Sequence, residues 1–89
     1  MYRVEWDEAA LDELAAVWNE ASSVVRKDIT AASHLLEQQL STDPYADSES
    51  RPGGRRITFA PPLAATFRVE TDEHTVTVLY VRMYQRRKS

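Results

Sequence analysis

Tyr2, Val4 and Trp6 alternate with Arg3 and Glu5, the period-two pattern of a strand that buries one face. Asp7 follows in the position of a helix N-cap, and Glu8 suits the positive end of a helix dipole. The period then lengthens. Leu11, Leu14, Ala15, Trp18 and Ala21 fall at helical spacing. Ser22 and Ser23 interrupt that helix and offer a second cap, after which Val25, Ile29, Ala32, Leu36 and Leu40 recur every three or four residues. The second helix should end near Ser41, because Pro44 disfavours helix in the residue before it. Thr42 to Gly54 is polar and aperiodic, with two prolines and two glycines, and reads as a loop of thirteen residues, a length often tied to function or mobility. Three strand-like runs close the chain, Arg55 to Ala60, Leu63 to Glu70 and Thr75 to Tyr84, divided by Pro61-Pro62 and by the polar turn Thr71 to His74.

Connections of hairpin length make the last three strands antiparallel. Two helices with one apolar stripe each can cover only one face of such a sheet. The pattern therefore predicts an α+β fold, β-α-α-β-β-β, with two N-terminal helices packed on one face of a four-stranded, mainly antiparallel sheet and the other face open. Along the middle strand Leu63, Ala65, Phe67 and Val69 form one side, and Ala64, Thr66, Arg68 and Glu70 the other. The last strand divides less distinctly, with Thr75, Thr77, Leu79, Val81 and Met83 against Val76, Val78, Tyr80, Arg82 and Tyr84. Arg56, Thr66, Arg68 and Arg82 are assigned to the open face, an assignment that a one-residue slip in register would reverse. Trp6 and Trp18 occupy positions that their patterns bury, and read as core.

The 89 residues read as one domain, 1–89, burying roughly 60–65% of the unfolded surface, so each large apolar residue counts. Without cysteine there is no disulfide, thiolate nucleophile or cysteine zinc site. His34 and His74 have no second ligand at metal-binding spacing, so neither a metal nor a cofactor is implied. No apolar run approaches the roughly 20 residues of a membrane span, and the acidic start is unlike a signal peptide. The reading is a cytoplasmic protein with no membrane partner.

Charge changes the picture. The net charge of −3 conceals three basic and eleven acidic residues in 1–50, against eight basic and three acidic in 51–89. Such asymmetry marks a locally basic surface able to meet phosphate or an acidic partner. Any one exposed arginine on a strand can simply be solvated or protect an edge. Arg86-Arg87-Lys88 reads either as a frayed end or as an electrostatic contact. Tyr80 and Tyr84 can pack, stack or pass a proton.

The Tyr-Arg-Val-Glu-Trp start, the two helices, Leu40 through Asp43-Pro44, Ser48-Glu49-Ser50 and Gly54-Arg55-Arg56 resemble the RelE/ParE family of bacterial toxins, as do Pro62-Leu63 with Phe67-Arg68-Val69 and the run Val76 to Leu79. The resemblance spans nearly the whole chain through element order and scattered apolar positions. It implies the fold above and a cognate antitoxin that wraps and neutralises the toxin. It leaves three activities open: ribosome-dependent messenger RNA cleavage, inhibition of DNA gyrase without nuclease chemistry, or a non-toxic partner-binding member. Cleavage requires a base near the ribose 2′-hydroxyl and cationic donors on the phosphate. In that case the resemblance implies Tyr84 as general acid or base beside a catalytic Arg82, with Arg56, Arg68, Arg86 and Arg87 holding nucleic acid. The nucleases often carry an arginine three residues before the middle strand's aromatic, and here that position is Ala64.

Overall fold

The computed structural model describes residues 1–84, so Arg86 and Arg87 lie outside the described residues. Strand β1 (Arg3–Trp6) leads into helices α1 (Glu8–Glu20) and α2 (Ser23–Thr42), followed by β2 (Ser48–Arg51), β3 (Arg55–Ala60), β4 (Leu63–Glu70) and β5 (Thr75–Met83). The strands form one sheet in the order β1-β5-β4-β3-β2, with β1 parallel to β5 and the other neighbours antiparallel. Asp7 caps α1, its Oδ1 accepting from Glu8 N at 3.0 Å, and Ser22 caps α2, its Oγ accepting from Val25 N at 3.3 Å. Both satisfy N–H groups that a helix start otherwise leaves unpaired.

The sheet has five strands where four were expected. The segment read as a loop continues α2 through Thr42, turns at buried Pro44, and then runs as β2 before a three-residue connection in which Gly53 and Gly54 take φ of 81° and 74°. Ser-Glu-Ser-Arg is an exposed edge strand with no apolar residue, so it produces no alternation of hydrophobicity. The two glycines permit the left-handed backbone of the turn.

The core is built as the α2 stripe anticipates: Ile29, Ala32, Leu36 and Leu40 are all buried, against Leu63, Ala65 and Phe67 of β4 and Val76, Val78 and Val81 of β5. The α1 stripe is rotated from the expected one. Ala10, Leu14, Val17 and Ala21, again at helical spacing, meet the core, while Leu11 is 49% exposed. Trp18 was read as core and is 41% exposed; Arg26 lies over its ring at 4.2 Å and donates to the carbonyls of Trp18 and Asn19, closing the end of α1. Trp6 packs against the core and donates Nε1–H to Glu37 Oε1 at 2.9 Å.

The blurred sides of β5 have a geometric cause. Phe67 pairs with Val78 but Thr66 pairs with Tyr80, so Leu79 is left without an opposite residue in a β-bulge. The extra residue switches the alternation: Val76 and Val78 face the helices before it, Val81 and Met83 after it. β1 covers β5 only as far as Val78. Beyond it, Val81 N–H would be stranded on a bare edge, and it donates instead to Glu13 Oε1 of α1 at 2.9 Å. A hydrogen bond to a carboxylate contributes about 1.5–3 kcal/mol. Glu13→Ala should lose that amount in urea unfolding, while Glu20→Ala at the end of α1 should stay within about 0.5 kcal/mol of the parent. Equal stabilities for the two variants would show that the strand edge needs no such cover.

Candidate nucleic-acid interface

Directly paired strand residues share a face, so the ladder register fixes what the helix-free side of the sheet carries. Besides Arg3, Thr75 and Glu70 at its β1 end, three rows cross it. Arg51, Arg55 and Arg68 stand side by side on β2, β3 and β4. Glu49, Ile57, Thr66 and Tyr80 form the second row, and Phe59, Ala64 and Arg82 the third. Tyr84 follows β5, held by its N–H to Pro62 O at 2.6 Å, with its ring 4.7 Å from that of Phe59.

Like charges directly opposite one another are unfavourable in a sheet. In the arginine row the outer two are balanced locally: Arg51 meets Glu49 at 3.3 Å, and Arg68 Nε donates to Glu70 Oε1 at 2.8 Å. These are solvent-exposed pairs worth about 0–1 kcal/mol, readily given up to a stronger anion. Arg55 and Arg82 have no carboxylate partner among the described residues. Arg55 instead lies 5.6 Å from the centre of the Tyr80 ring. Phe59, Tyr80 and Tyr84 are about 40% exposed each, which leaves ring faces available beside the cations. Guanidinium groups interleaved with exposed rings are the two elements that hold single-stranded nucleic acid, phosphate by charge and base by stacking.

Of the residues singled out from sequence, the structure brings Arg68, Arg82 and Tyr84 to this face. Arg56 is on the other one. It pairs with buried Phe67 and its side chain is consumed by structure: Nε donates to Ser48 Oγ at 2.7 Å, Nη1 to Ser50 Oγ at 3.2 Å and Nη2 to Ser48 O at 3.0 Å, with the guanidinium over Tyr45. Tyr45 OH in turn meets Thr71 Oγ1 at 3.1 Å. Arg56 therefore fastens β2 and the turn before it to the sheet. Its place on the open face is taken by its neighbour Arg55, which sequence reading passed over together with Arg51 and Phe59. The alternation Arg55, Ile57, Phe59 was the available signal, and the register error of one residue hid it.

Ala64 sits in the third row between Phe59 and Arg82 and is only 5% exposed, so the middle of the face is a closed, apolar floor. Among the described residues no group of three His, Asp or Glu is placed to hold a metal ion. The cationic groups of the face are its arginines.

Neither a protein-family model nor a curated protein matches the chain. Solved structures do. A chain of the toxin-antitoxin complex RelBE2 from Mycobacterium tuberculosis superposes with a TM-score of 0.73 at 18% identity, over 92% of this chain and 90% of that one. A chain of the intact E. coli RelBE toxin-antitoxin complex gives 0.64 at 21%, covering 97% and 100%, and one of the chromosomal ParDE TA system from P. aeruginosa gives 0.64 at 21%, covering 96% and 98%. At these identities the shared property is the fold.

The two adjacent arginines should separate by experiment. Removing three hydrogen bonds from a half-buried guanidinium gives Arg56→Ala a loss of about 1–3 kcal/mol in thermal or urea unfolding, whereas Arg55→Ala relieves a like-charge row and should change stability by less than about 0.5 kcal/mol. The reverse order would put Arg56 on the open face after all.

Proposed function

We propose that this chain is a toxin of the RelE/ParE type, one domain neutralised by a cognate antitoxin, and that it cleaves messenger RNA on the ribosome in the cytoplasm. The observation that supports the reading is the open sheet face itself: Arg51, Arg55, Arg68 and Arg82, of which Arg55 and Arg82 have no carboxylate partner among the described residues, stand beside exposed Phe59, Tyr80 and Tyr84. The fold shared with toxin-antitoxin complexes supports the partner.

In this reading Arg55 and Arg68 bind the backbone of the message, and stacking on the aromatic rings splays the bases apart. The ribose 2′-hydroxyl attacks the adjacent phosphorus, a P–O bond forms as the P–O bond to the 5′-oxygen breaks, and one proton must leave the attacker while another reaches the leaving group. The Tyr84 hydroxyl is the exchangeable group at that end of the face, and Arg82 opposes the negative charge that builds on phosphorus. The ribosome supplies the substrate in a fixed, single-stranded geometry, which the shallow face does not provide alone.

Inhibition of DNA gyrase is the second reading, and Ala64 favours it. A closed alanine in the middle of the face removes the central cation on which a nuclease could rely. In a purified translation system with mapping of 5′ ends, the nuclease reading requires new ends inside translated codons that vanish when ribosomes are omitted. Arg82→Ala and Tyr84→Ala, each folded, should lower the cleavage rate by about 10²-fold or more. Intact message with slowed supercoiling by gyrase would replace the first reading by the second.

A further inference from the structure

Tyr84 is the first residue beyond β5, where the strand ladder no longer dictates a direction, and its backbone N–H is tied to Pro62 O at 2.6 Å. Its ring nevertheless has a fixed address. The centroid lies 4.7 Å from that of Phe59 with the planes tilted by 48°, an arrangement that aromatic pairs favour over a parallel sandwich. Phe59 belongs to β3, and β4 runs between β3 and β5. Neighbouring strands are about 4.7–4.9 Å apart, so the two residues stand two spacings from each other and their side chains meet by leaning together across β4.

What they lean across is small. Register puts Ala64 of β4 opposite Phe59 on one side and Arg82 on the other, two residues short of Tyr84. Ala64 is only 5% exposed, whereas Phe59 and Tyr84 on the same face keep 40% and 37%. No helix covers this side of the sheet, so side chains of the face itself cover Ala64, and the Phe59–Tyr84 pair is the bulkiest group beside it. A methyl group fits beneath two rings that meet over it. A longer side chain at 64 would stand in their path.

The ring contact fixes what the backbone leaves free. A tyrosine χ1 has three staggered wells, and the hydroxyl at the far end of the ring is carried to a different place in each. Packing against Phe59 selects one of them. Proton transfer needs the hydroxyl within hydrogen-bond reach of the reacting oxygen, so a ring spread over several wells would deliver it in only a fraction of encounters.

The geometry points to Phe59 as a positioning residue: it holds the Tyr84 ring across Ala64 and so sets where the hydroxyl stands relative to Arg82, without itself touching the reacting atoms. This rests on the messenger RNA cleavage reading. Within that reading it gives the small residue at 64 a role, as the floor beneath the pair.

The test pairs cleavage kinetics in the purified translation system with ring-proton NMR of the same full-length variants. Phe59→Leu keeps an apolar side chain but removes the ring, Ala64→Leu keeps both rings and obstructs their contact, and Phe59→Tyr preserves the contact. In the first two, kcat should fall about two- to tenfold, the range an aromatic pair sets, while KM for the programmed ribosome holds and the Tyr84 ring protons lose the upfield shift that a neighbouring ring imposes. Phe59→Tyr should retain the parent kcat and the shift. In a Tyr84→Ala background, Phe59→Leu should slow cleavage no further. A raised KM at unchanged kcat would make Phe59 a base-stacking surface instead. A loss of equal size in the Tyr84→Ala background would show that Phe59 acts through some other group, and Tyr84 ring signals indifferent to Phe59→Leu would show that the pair does not hold the ring. Each of these overturns the inference alone, with the parent chain still cutting. Message left intact by the parent chain overturns the cleavage reading, and the inference falls with it.

Discussion

Strand β5 must present valines to the helices along its whole length while carrying Tyr80 and Arg82 outward, and a strand of strict alternation cannot do both. The bulge at Leu79 resolves the conflict by moving the alternation on by one residue. Without it, either Val81 and Met83 would turn to water while the tyrosine and arginine turned into the core, where an unpaired guanidinium is prohibitive, or Val76 and Val78 would turn to water. The bulge also falls where β1 ends, which is why α1 supplies the Glu13 carboxylate to Val81 N–H. Core packing, edge protection and the aim of the candidate site thus depend on one inserted residue.

The division of charge along the chain becomes a division by layer. The acidic half supplies both helices, with Glu8, Asp12, Glu20 and Asp28 exposed, and the basic half supplies β3, β4 and β5, with arginines gathered on the face away from those helices. A polyanion approaching such a molecule is repelled by one side and drawn to the other. The arginine row on β2, β3 and β4 is unfavourable in isolation and is kept only with the help of weak pairs to Glu49 and Glu70, an arrangement that an incoming phosphate would relieve.

What could be read from the sequence follows from where burial writes a pattern. The α2 stripe, the caps at Asp7 and Ser22, and β3 and β4 were legible because each buries a repeating set of residues. β2 was not, since Ser48 to Arg51 buries no apolar side chain and the strand is defined only by its backbone pairing with β3. The α1 face was ambiguous: two helical stripes, Leu11 with Trp18 and Ala10 with Leu14 and Val17, compete on one helix, and only packing on β5 selects the second. The candidate site was half legible. Arg68, Arg82 and Tyr84 lie on the expected face, but register decides between Arg55 and Arg56, and register is a property of the paired sheet.

We propose that the helix-free face of the sheet meets nucleic acid through its arginines. The most direct measurement follows the backbone amides and arginine Nε–H signals during titration with a short 2′-O-methylated RNA, which cannot be cut, at several salt concentrations. Perturbations are expected at Arg55, Arg68, Tyr80 and Arg82, with α1 and α2 silent. Affinity should fall with salt at a logarithmic slope of about −2, from roughly −0.7 per phosphate contact on a single strand with three arginines engaged. Perturbations on the helices, or binding indifferent to salt, would contradict it.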